Sequence, residues 1–256
     1  MDAQALYSIL RECAQSTAIV ERVLLGINWT IAQTRCDTSP NSSGLCFSPL
    51  DIPRNLDWPG TLVGRKANEL VTWIERDEPS AVAVGLATIN AVLNHSANNL
   101  LRDAIALEIN DSSHLAVFDY FSPQLTGASV AIIGRYPGLD RFKSQFNFTC
   151  IERRPGPDDL PESAAETILP QSDWVFITAS SLANKTLPHL LQLSRDAKVV
   201  LMGPTMPWMA EWADFGVDYL AGVEVIDPQR LEQIVAEAGG TRIFHDAVQY
   251  RVLSLC

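Results

Sequence analysis

The positions of apolar and polar residues first predict a β-strand near the start of the chain. Over residues 20–35 the apolar side chains recur at every second position: Val23, Leu25, Ile27, Trp29 and Ile31. This period of two is typical of a strand with one buried face. The segment TSPNSSG, Thr38 to Gly44, is rich in turn-forming residues and predicts a turn, after which residues 45–48 return as a partner strand.

Helical patterns occupy most of the rest of the first half. Residues 3–15 predict an amphipathic helix, and residues 62–74 and 98–109 predict two more. Residues 80–95 are apolar almost all round, so we expect that helix to be buried on most sides. A pair of strands combined with several helices indicates an α+β domain.

The second half changes to short apolar runs that alternate with helical segments. The runs cover residues 129–134, 148–152, 174–178, 198–203 and 219–225. Continuous apolar runs are typical of parallel strands covered on both faces, and their alternation with helices predicts right-handed crossovers in a doubly wound sheet. The fold class is therefore α/β, with an α+β domain over residues 1–112 and a Rossmann-like domain over residues 113–256.

Composition and charge limit the kinds of partner that the protein is expected to bind. A formal net charge of −11 and an isoelectric point near 4.7 argue against a nucleic-acid partner, which requires a basic surface. The longest apolar stretch, residues 81–93, is shorter than the ~20 residues of a membrane-spanning helix. The first residues carry no pattern of a signal peptide, so a cytoplasmic protein without a membrane partner is expected, with a homodimer left open. The five cysteines form no CxxC pair, and we assign them no role.

Candidate binding residues follow the ends of the predicted parallel strands, where ligands bind in such sheets. Gly134, Arg135, Tyr136 and Pro137 follow the first of these strands; their loop either holds an anion or is a plain strand-to-helix turn. Glu152 ends the second strand and either accepts hydrogen bonds from ligand hydroxyls or is a solvated strand end.

The next two strands and one helix add polar candidates. Thr178, Ser180 and Asn184 cluster after the third strand, where Asn184 also fits a helix cap. The fourth strand leads into a proline-stiffened loop that begins Gly203, Pro204, Thr205. Asn90 lies inside the apolar helix and must find a partner, because an unpaired buried amide costs about 1–3 kcal/mol. That partner is the backbone of the other domain, a water or a ligand.

The common catalytic motifs do not occur. The chain has no GxSxG, HExxH or P-loop motif, and its four histidines form no i, i+4 pair. No cluster of cysteine, histidine or carboxylate residues has the spacing of metal ligands. The residues alone therefore name no reaction.

Several motifs nevertheless resemble one known family. They are GINWT at 26–30, GTLVGR at 60–65, GLATINA at 85–91, VAIIGRYP at 130–137, DWVFIT at 173–178, GPTMP at 203–207 and GVEVIDP at 222–228. They occur in the order of the family described as "putative heavy-metal chelation", a domain of unknown function. The resemblance implies a leading domain similar to the amino-terminal domain of enolase, followed by a Rossmann-like domain. Members often carry glycine where this chain has Ala179, which puts a close backbone approach there in question.

Three functions stay open at this stage. The resemblance implies a small-ligand-binding protein that holds a heavy-metal ion or a metal complex in the cleft between the domains. The alternative is an enzyme that acts on a nucleotide-like or other anionic small molecule, with Gly134–Gly138 around the anion. The third is a scaffold that binds no small ligand. The sequence leaves the cofactor unknown beyond that possible metal.

Overall fold

The computed structural model describes residues 3–36, 39–50, 55–110 and 112–255. After a first helix, α1 (Ala3–Cys13), the chain forms a small antiparallel sheet of β1 (Ile19–Leu25), β2 (Trp29–Cys36) and β3 (Ser39–Phe47), in the order β1-β2-β3. Helix α3 (Pro79–Leu93) packs on this sheet, and α1, α2 (Ala67–Val71) and a 3₁₀ helix over Thr72–Glu75 pack against α3. This is the expected α+β part of the chain.

The single strand predicted over residues 20–35 is wrong, because a tight turn divides it into β1 and β2. The Gly26 N–H donates to the carbonyl of Trp29 at 3.0 Å, and Ile27 at the tip is 73% exposed. The alternating apolar pattern continues through these residues, so the pattern alone does not predict the turn.

The turn predicted over residues 38–44 is also wrong within the described residues, since β3 begins at Ser39; Thr38 lies outside them. Gly44 belongs to this strand because the strand crosses α3 closely. A Cβ atom on Gly44 would lie 2.1 Å from the amide nitrogen of Ala91. The glycine that suggests a turn therefore serves a strand–helix contact.

Helix α3 is the buried centre of the first part, as its all-round apolar sequence predicts. All residues from Ser80 to Ala91 are buried. The other helix predictions are partly wrong: the helix expected over 62–74 begins at Ala67, and the helix expected over 98–109 ends at Asp103.

In the described part of the chain, eight strands form the second sheet. They are β4 (Ile105–Ala106), β5 (Val130–Ile133), β6 (Phe148–Glu152), β7 (Leu160–Pro161), β8 (Trp174–Thr178), β9 (Lys198–Met202), β10 (Tyr219–Val225) and β11 (Val248–Ser254). Their order is β4-β11-β10-β9-β8-β5-β6-β7. Strands β5 to β10 pair in parallel, whereas β11 pairs antiparallel with β10 and with β4.

Helices connect these strands as a Rossmann-like sheet requires. They are α4 (Asn99–Asp103), α5 (Ala116–Leu125), α6 (Ala165–Ile168), α7 (Ser180–Ala183), α8 (Leu187–Leu193), α9 (Pro228–Ala236) and α10 (Ile243–Asp246), with 3₁₀ turns over Leu139–Ser144 and Ala210–Phe215. The five strands expected from the apolar runs are confirmed. Strands β4, β7 and β11 were not anticipated. None of the helices within the described ranges has the length and apolar character needed to cross a membrane.

The two parts of the chain share one hydrophobic core. Leu6 and Ile89 of the first part belong to the same buried cluster as Leu201 and Trp208 of the second. A separate cluster on the other face of the large sheet contains Phe118 and Phe176. The first part therefore packs on the large sheet through apolar contacts, not only through polar ones.

Candidate functional site

The centre of the large sheet contains a topological switch point. From β5 the chain moves outward to β6 and β7, then returns to the other side of β5 at β8. In open α/β sheets the crevice at such a point is where ligands bind. Here Gly134 follows β5 and Thr178 ends β8, so these two residues form the edges of the crevice.

Two glycines leave the sides of Thr178 open. Gly134 and Gly203 have φ angles of +97° and +112°, in the left-handed region that favours glycine. A Cβ atom on Gly134 would lie 3.0 Å from Cγ2 of Thr178. The ends of β5, β8 and β9 therefore form a floor made largely of backbone, with the Thr178 side chain at its centre.

A cavity of about 1050 Å³ lies above this floor. Residues of the first part that line it include Trp29, Phe47, Ser48 and Arg76. A cavity of this size accommodates a small molecule of drug or cofactor dimensions.

The structure places eleven of the twelve predicted site residues around this one cavity. They are Gly134, Arg135, Tyr136, Pro137, Glu152, Thr178, Ser180, Asn184, Gly203, Pro204 and Thr205. Asn90 is fully buried and does not line the cavity. Proximity does not test their role in binding, so that role stays a prediction.

Asn90 instead joins the two parts of the chain. Its Nδ2 donates to the carbonyl of Leu45 at 2.6 Å and to that of Thr205 at 2.9 Å. The Thr205 hydroxyl in turn accepts a hydrogen bond from the Phe47 amide at 2.9 Å. Of the partners considered for Asn90, the structure thus provides the backbone of the other domain.

Two further asparagines hold the same proline-stiffened loop. Nδ2 of Asn94 donates to the carbonyl of Met206, and its Oδ1 accepts from the Trp208 amide at 3.0 Å. Nδ2 of Asn98 donates to the Trp208 carbonyl at 2.9 Å. Neither residue was anticipated from the sequence. The spacing of four from Asn90 to Asn94 to Asn98 is typical of one helix face, but α3 ends at Leu93 and Asn98 caps α4, so this spacing was not the signal of a shared helix.

The Arg135 side chain is engaged by neighbouring carboxylates. Its guanidinium donates to Oδ1 of Asp159 at 2.9 Å and also contacts Asp140. Asp159 is only 5% exposed at its side chain. Arg135 therefore braces the loop as well as bordering the cavity.

Glu152 caps the backbone of two loops. Its Oε2 accepts from the amide of Arg135 at 2.8 Å, and its Oε1 accepts from the amide of Arg154 at 3.2 Å. The carboxylate thus fixes the loop after β5 and keeps only part of its acceptor capacity for a ligand.

The small polar residues after β8 hydrogen-bond locally. The hydroxyls of Thr178 and Ser180 lie 3.1 Å apart. Oδ1 of Asn184 accepts from the amide and the hydroxyl of Thr186 at 3.1 and 2.7 Å. Asn184 therefore organises the turn that leads into α8, close to the capping role considered for it.

The cavity is more basic than the protein as a whole. Its described lining contains five basic residues, Arg76, Arg135, Arg153, Arg154 and Lys185, and three acidic ones, Asp77, Glu152 and Glu162. The whole chain, by contrast, carries −11. Over the described ranges, no group of three or more His, Cys, Asp or Glu side chains could hold a metal ion.

Lys185 closes the junction between the two parts at the side of the cavity. Its ammonium donates to the carbonyl of Ile74 and lies 4.2 Å from the centre of the Tyr7 ring. Burial lowers the pKa of this lysine, although Glu75 and Asp77 partly oppose the effect. Its φ of +66° is unusual for a residue with a side chain.

The fold and cavity define a class of protein: an α+β part packed on a Rossmann-like sheet, with a cavity at the switch point. Two family models, both described as "Putative heavy-metal chelation", match residues 7–93 and 116–254. The chain belongs to this family.

Three related proteins match most of the length of this chain. An uncharacterized protein of Methanocaldococcus jannaschii is 25% identical over 194 residues, which cover 72% of this chain and 70% of that protein. A crystal structure of a DUF364-family protein of unknown function from Desulfitobacterium hafniense is 25% identical, with a TM-score of 0.84 and 98% of each chain covered. A second, from Pyrococcus horikoshii, is 20% identical with a TM-score of 0.77, covering 99% of this chain and all of that one.

Proposed function

We propose that the protein binds an anionic small molecule in the cavity between its two parts, and that any heavy metal enters as part of an anionic complex. Without Arg135, which is paired with Asp140 and Asp159, the described lining of the switch-point cavity still has four basic residues and three acidic ones. This local excess of basic residues, in a protein whose net charge is −11, is the observation that carries the proposal. A local positive field attracts an anion even when the overall charge is negative.

The nature of the lining favours a complex over a bare ion. Soft metal ions are held by clustered thiolates and imidazoles, and hard ions by clustered carboxylates. The described residues contain no such cluster. The family description names heavy-metal chelation, and a small anionic chelator that carries the metal reconciles that description with the cavity.

A second candidate is an enzyme that acts on a nucleotide-like molecule. The feature that favours it is Glu152, which ends the strand next to β5 and lines the cavity beside Gly134. An acidic residue near this place accepts ribose hydroxyls in dinucleotide-binding sheets. Among the described lining residues, the serine hydroxyls hydrogen-bond to other hydroxyls or to backbone carbonyls and not to a histidine or carboxylate, so we rank this candidate second.

Thermal unfolding in the presence of defined probes tests the proposal. The probes are the free ions of Fe, Ni, Co, Zn and Cu, then molybdate, phosphate, citrate, ferric citrate, adenosine and ATP. A probe at 100 times its dissociation constant adds about 2.7 kcal/mol of stability. We expect stabilisation by at least one oxyanion or anionic complex and none by the free cations. Stabilisation by a free cation alone would contradict the proposal.

Three variants locate the effect. Arg153→Gln should weaken binding of the stabilising anion roughly fivefold, because it removes a positive charge at the cavity. Arg195→Gln is the control and should leave the affinity unchanged, since the Arg195 side chain is 79% exposed and lies outside the cavity.

Glu152→Gln distinguishes the two candidate functions. It removes a negative charge and should strengthen anion binding, but it should weaken adenosine binding if Glu152 accepts hydrogen bonds from hydroxyls. Glutamine is preferred to alanine because it keeps an acceptor for a backbone amide.

The division at residues 112 and 113 also stays a prediction. The family models leave residues 94–115 uncovered, and β4 at Ile105–Ala106 pairs with β11 of the large sheet. The cytoplasmic location, the absence of a nucleic-acid partner and the homodimer likewise rest on the sequence alone.

A further inference from the structure

Two tyrosine hydroxyls at the cavity make no hydrogen bond of normal geometry within the part of the chain that the structure describes. Tyr136 follows β5 and Tyr250 lies on β11, and both residues line the cavity. Both hydroxyl oxygens are shielded from solvent, and neither makes a hydrogen bond of normal geometry with a described residue. Tyr250 as a whole is only 3% exposed.

An unpaired hydroxyl in such a place is unusual. Most buried polar side-chain atoms are hydrogen-bonded, and each exception calls for an explanation. A buried hydroxyl without a partner destabilises the folded state relative to a phenyl ring of the same shape. Two such groups at one cavity suggest a shared partner that comes from outside the chain.

Neighbouring aromatic rings pack against both side chains. The Tyr250 ring stacks on Phe244 with centroids 4.9 Å apart and an interplanar angle of 19°. The Tyr136 ring meets Phe118 edge to face at 5.3 Å. Both phenols are therefore held in place before any ligand arrives, as a preorganised site requires.

Both hydroxyls are donors at physiological pH. Burial raises the pKa of Tyr136, and a weak hydrogen-bonding interaction with the Thr178 side chain lowers it in part. Burial also raises the pKa of Tyr250, and Tyr136 raises it further. A protonated phenol without a partner is suited to an acceptor oxygen.

We propose that the hydroxyls of Tyr136 and Tyr250 donate hydrogen bonds to acceptor oxygens of a ligand bound in this cavity. The ligand class is an oxyanion: a carboxylate, a phosphate or a metal oxyanion, which share the acceptor oxygens. This inference rests on the proposed function and deepens it. The basic residues attract the anion to the cavity, while the two neutral phenols donate hydrogen bonds to its oxygens.

The test compares Tyr136→Phe, Tyr250→Phe and the double variant with Tyr219→Phe. Tyr219 is a matched control, because its ring also stacks on an aromatic neighbour, Trp174, but it lies outside the cavity. Each protein is unfolded thermally without a probe and then titrated with phosphate, citrate and molybdate. The three probes distinguish the phosphate, carboxylate and metal-oxyanion classes.

We expect the two cavity variants to melt at the same temperature as the original chain or higher when no probe is present. We also expect each to bind the stabilising probe at least about tenfold more weakly, the effect of losing one hydrogen bond to a charged group. Tyr219→Phe should leave that affinity unchanged. This combination, unchanged or greater stability with loss of binding, is not expected of a purely structural hydroxyl.

The outcomes separate this inference from the proposed function. If the original chain binds a probe and the cavity variants bind it equally well, the inference is overturned and the proposed function stands. If the cavity variants melt lower without a probe, the hydroxyls serve the fold through an internal water, and the inference is again overturned. If no oxyanion stabilises the original chain, the titration of that chain by itself contradicts the proposed function. The inference, which rests on the proposed function, is then overturned as well.

Discussion

Single residues without side chains shape the floor of the cavity. Gly134 and Gly203 take left-handed backbone conformations on either side of Thr178, so the ends of β5 and β9 carry no atoms that would cover it. Ala179, which stands where family members often have glycine, has a φ of −67° and needs no glycine. The departure at Ala179 therefore introduces no backbone strain.

A comparison of two glycines tests whether the floor of the cavity requires a residue without a side chain at Gly134. Gly127→Ala places a side chain at φ +80° with nothing within 4 Å, so it should cost only the left-handed conformation, about 1–2 kcal/mol. Gly134→Ala should cost more, because its Cβ also meets Thr178 at 3.0 Å. Urea unfolding measures both. Equal losses would mean that the close approach to Thr178 has no energetic weight.

At the scale of elements, α3 does the most to place the cavity. It is buried along almost its whole length, and Asn90 near its carboxyl end donates to a strand of the first part and to the loop after β9. Asn94 and Asn98 continue this series of contacts with the loop. Helix α3 and the segment that follows it thus fix the distance between a wall of the cavity and its floor.

Removing the Asn90 amide should therefore destabilise the protein. Asn90→Ala leaves the carbonyls of Leu45 and Thr205 without this buried donor, and we expect a loss of about 1–3 kcal/mol in the free energy of unfolding. Asn99→Ala is the control: Asn99 is exposed and contacts only a neighbour, Arg102, so the change should stay within about 0.5 kcal/mol. Chemical denaturation checks both, and a neutral Asn90→Ala would refute the structural role.

At the scale of the whole molecule, the two parts are joined by a continuous core. Buried residues of α1 and α3 belong to the same cluster as residues of β8 and β9. The cavity therefore lies between parts that are packed together, and its shape depends on that packing. A loosely linked pair of domains would not preserve such a site.

This packing predicts a single cooperative unfolding transition. Differential scanning calorimetry should give one peak whose calorimetric enthalpy equals its van't Hoff enthalpy, as for a two-state protein. If the parts were independent, two peaks would appear, or a probe would shift only one portion of a broad transition. Either result would contradict the shared core as the main source of stability.

The local pattern of apolar residues was sufficient to predict the strands at the centre of the large sheet. The strands at 148–152, 174–178 and 219–225 have the bounds that their apolar runs predicted, because a strand covered on both faces needs a continuous apolar run. The common edge of these strands follows from the crossover rule, so most of the candidate residues could be placed together in advance.

The sequence by itself determined the class of fold, the central strands and the loops that follow them, since each depends on residues close together along the chain. Tertiary structure alone decided the partners: Asn90 reaches Thr205 across 115 positions, Glu152 caps the loop after β5, and β11 brings Tyr250 to the cavity. Such contacts depend on which groups, distant in sequence, are brought together by packing. The local periodicity of the sequence therefore does not predict them.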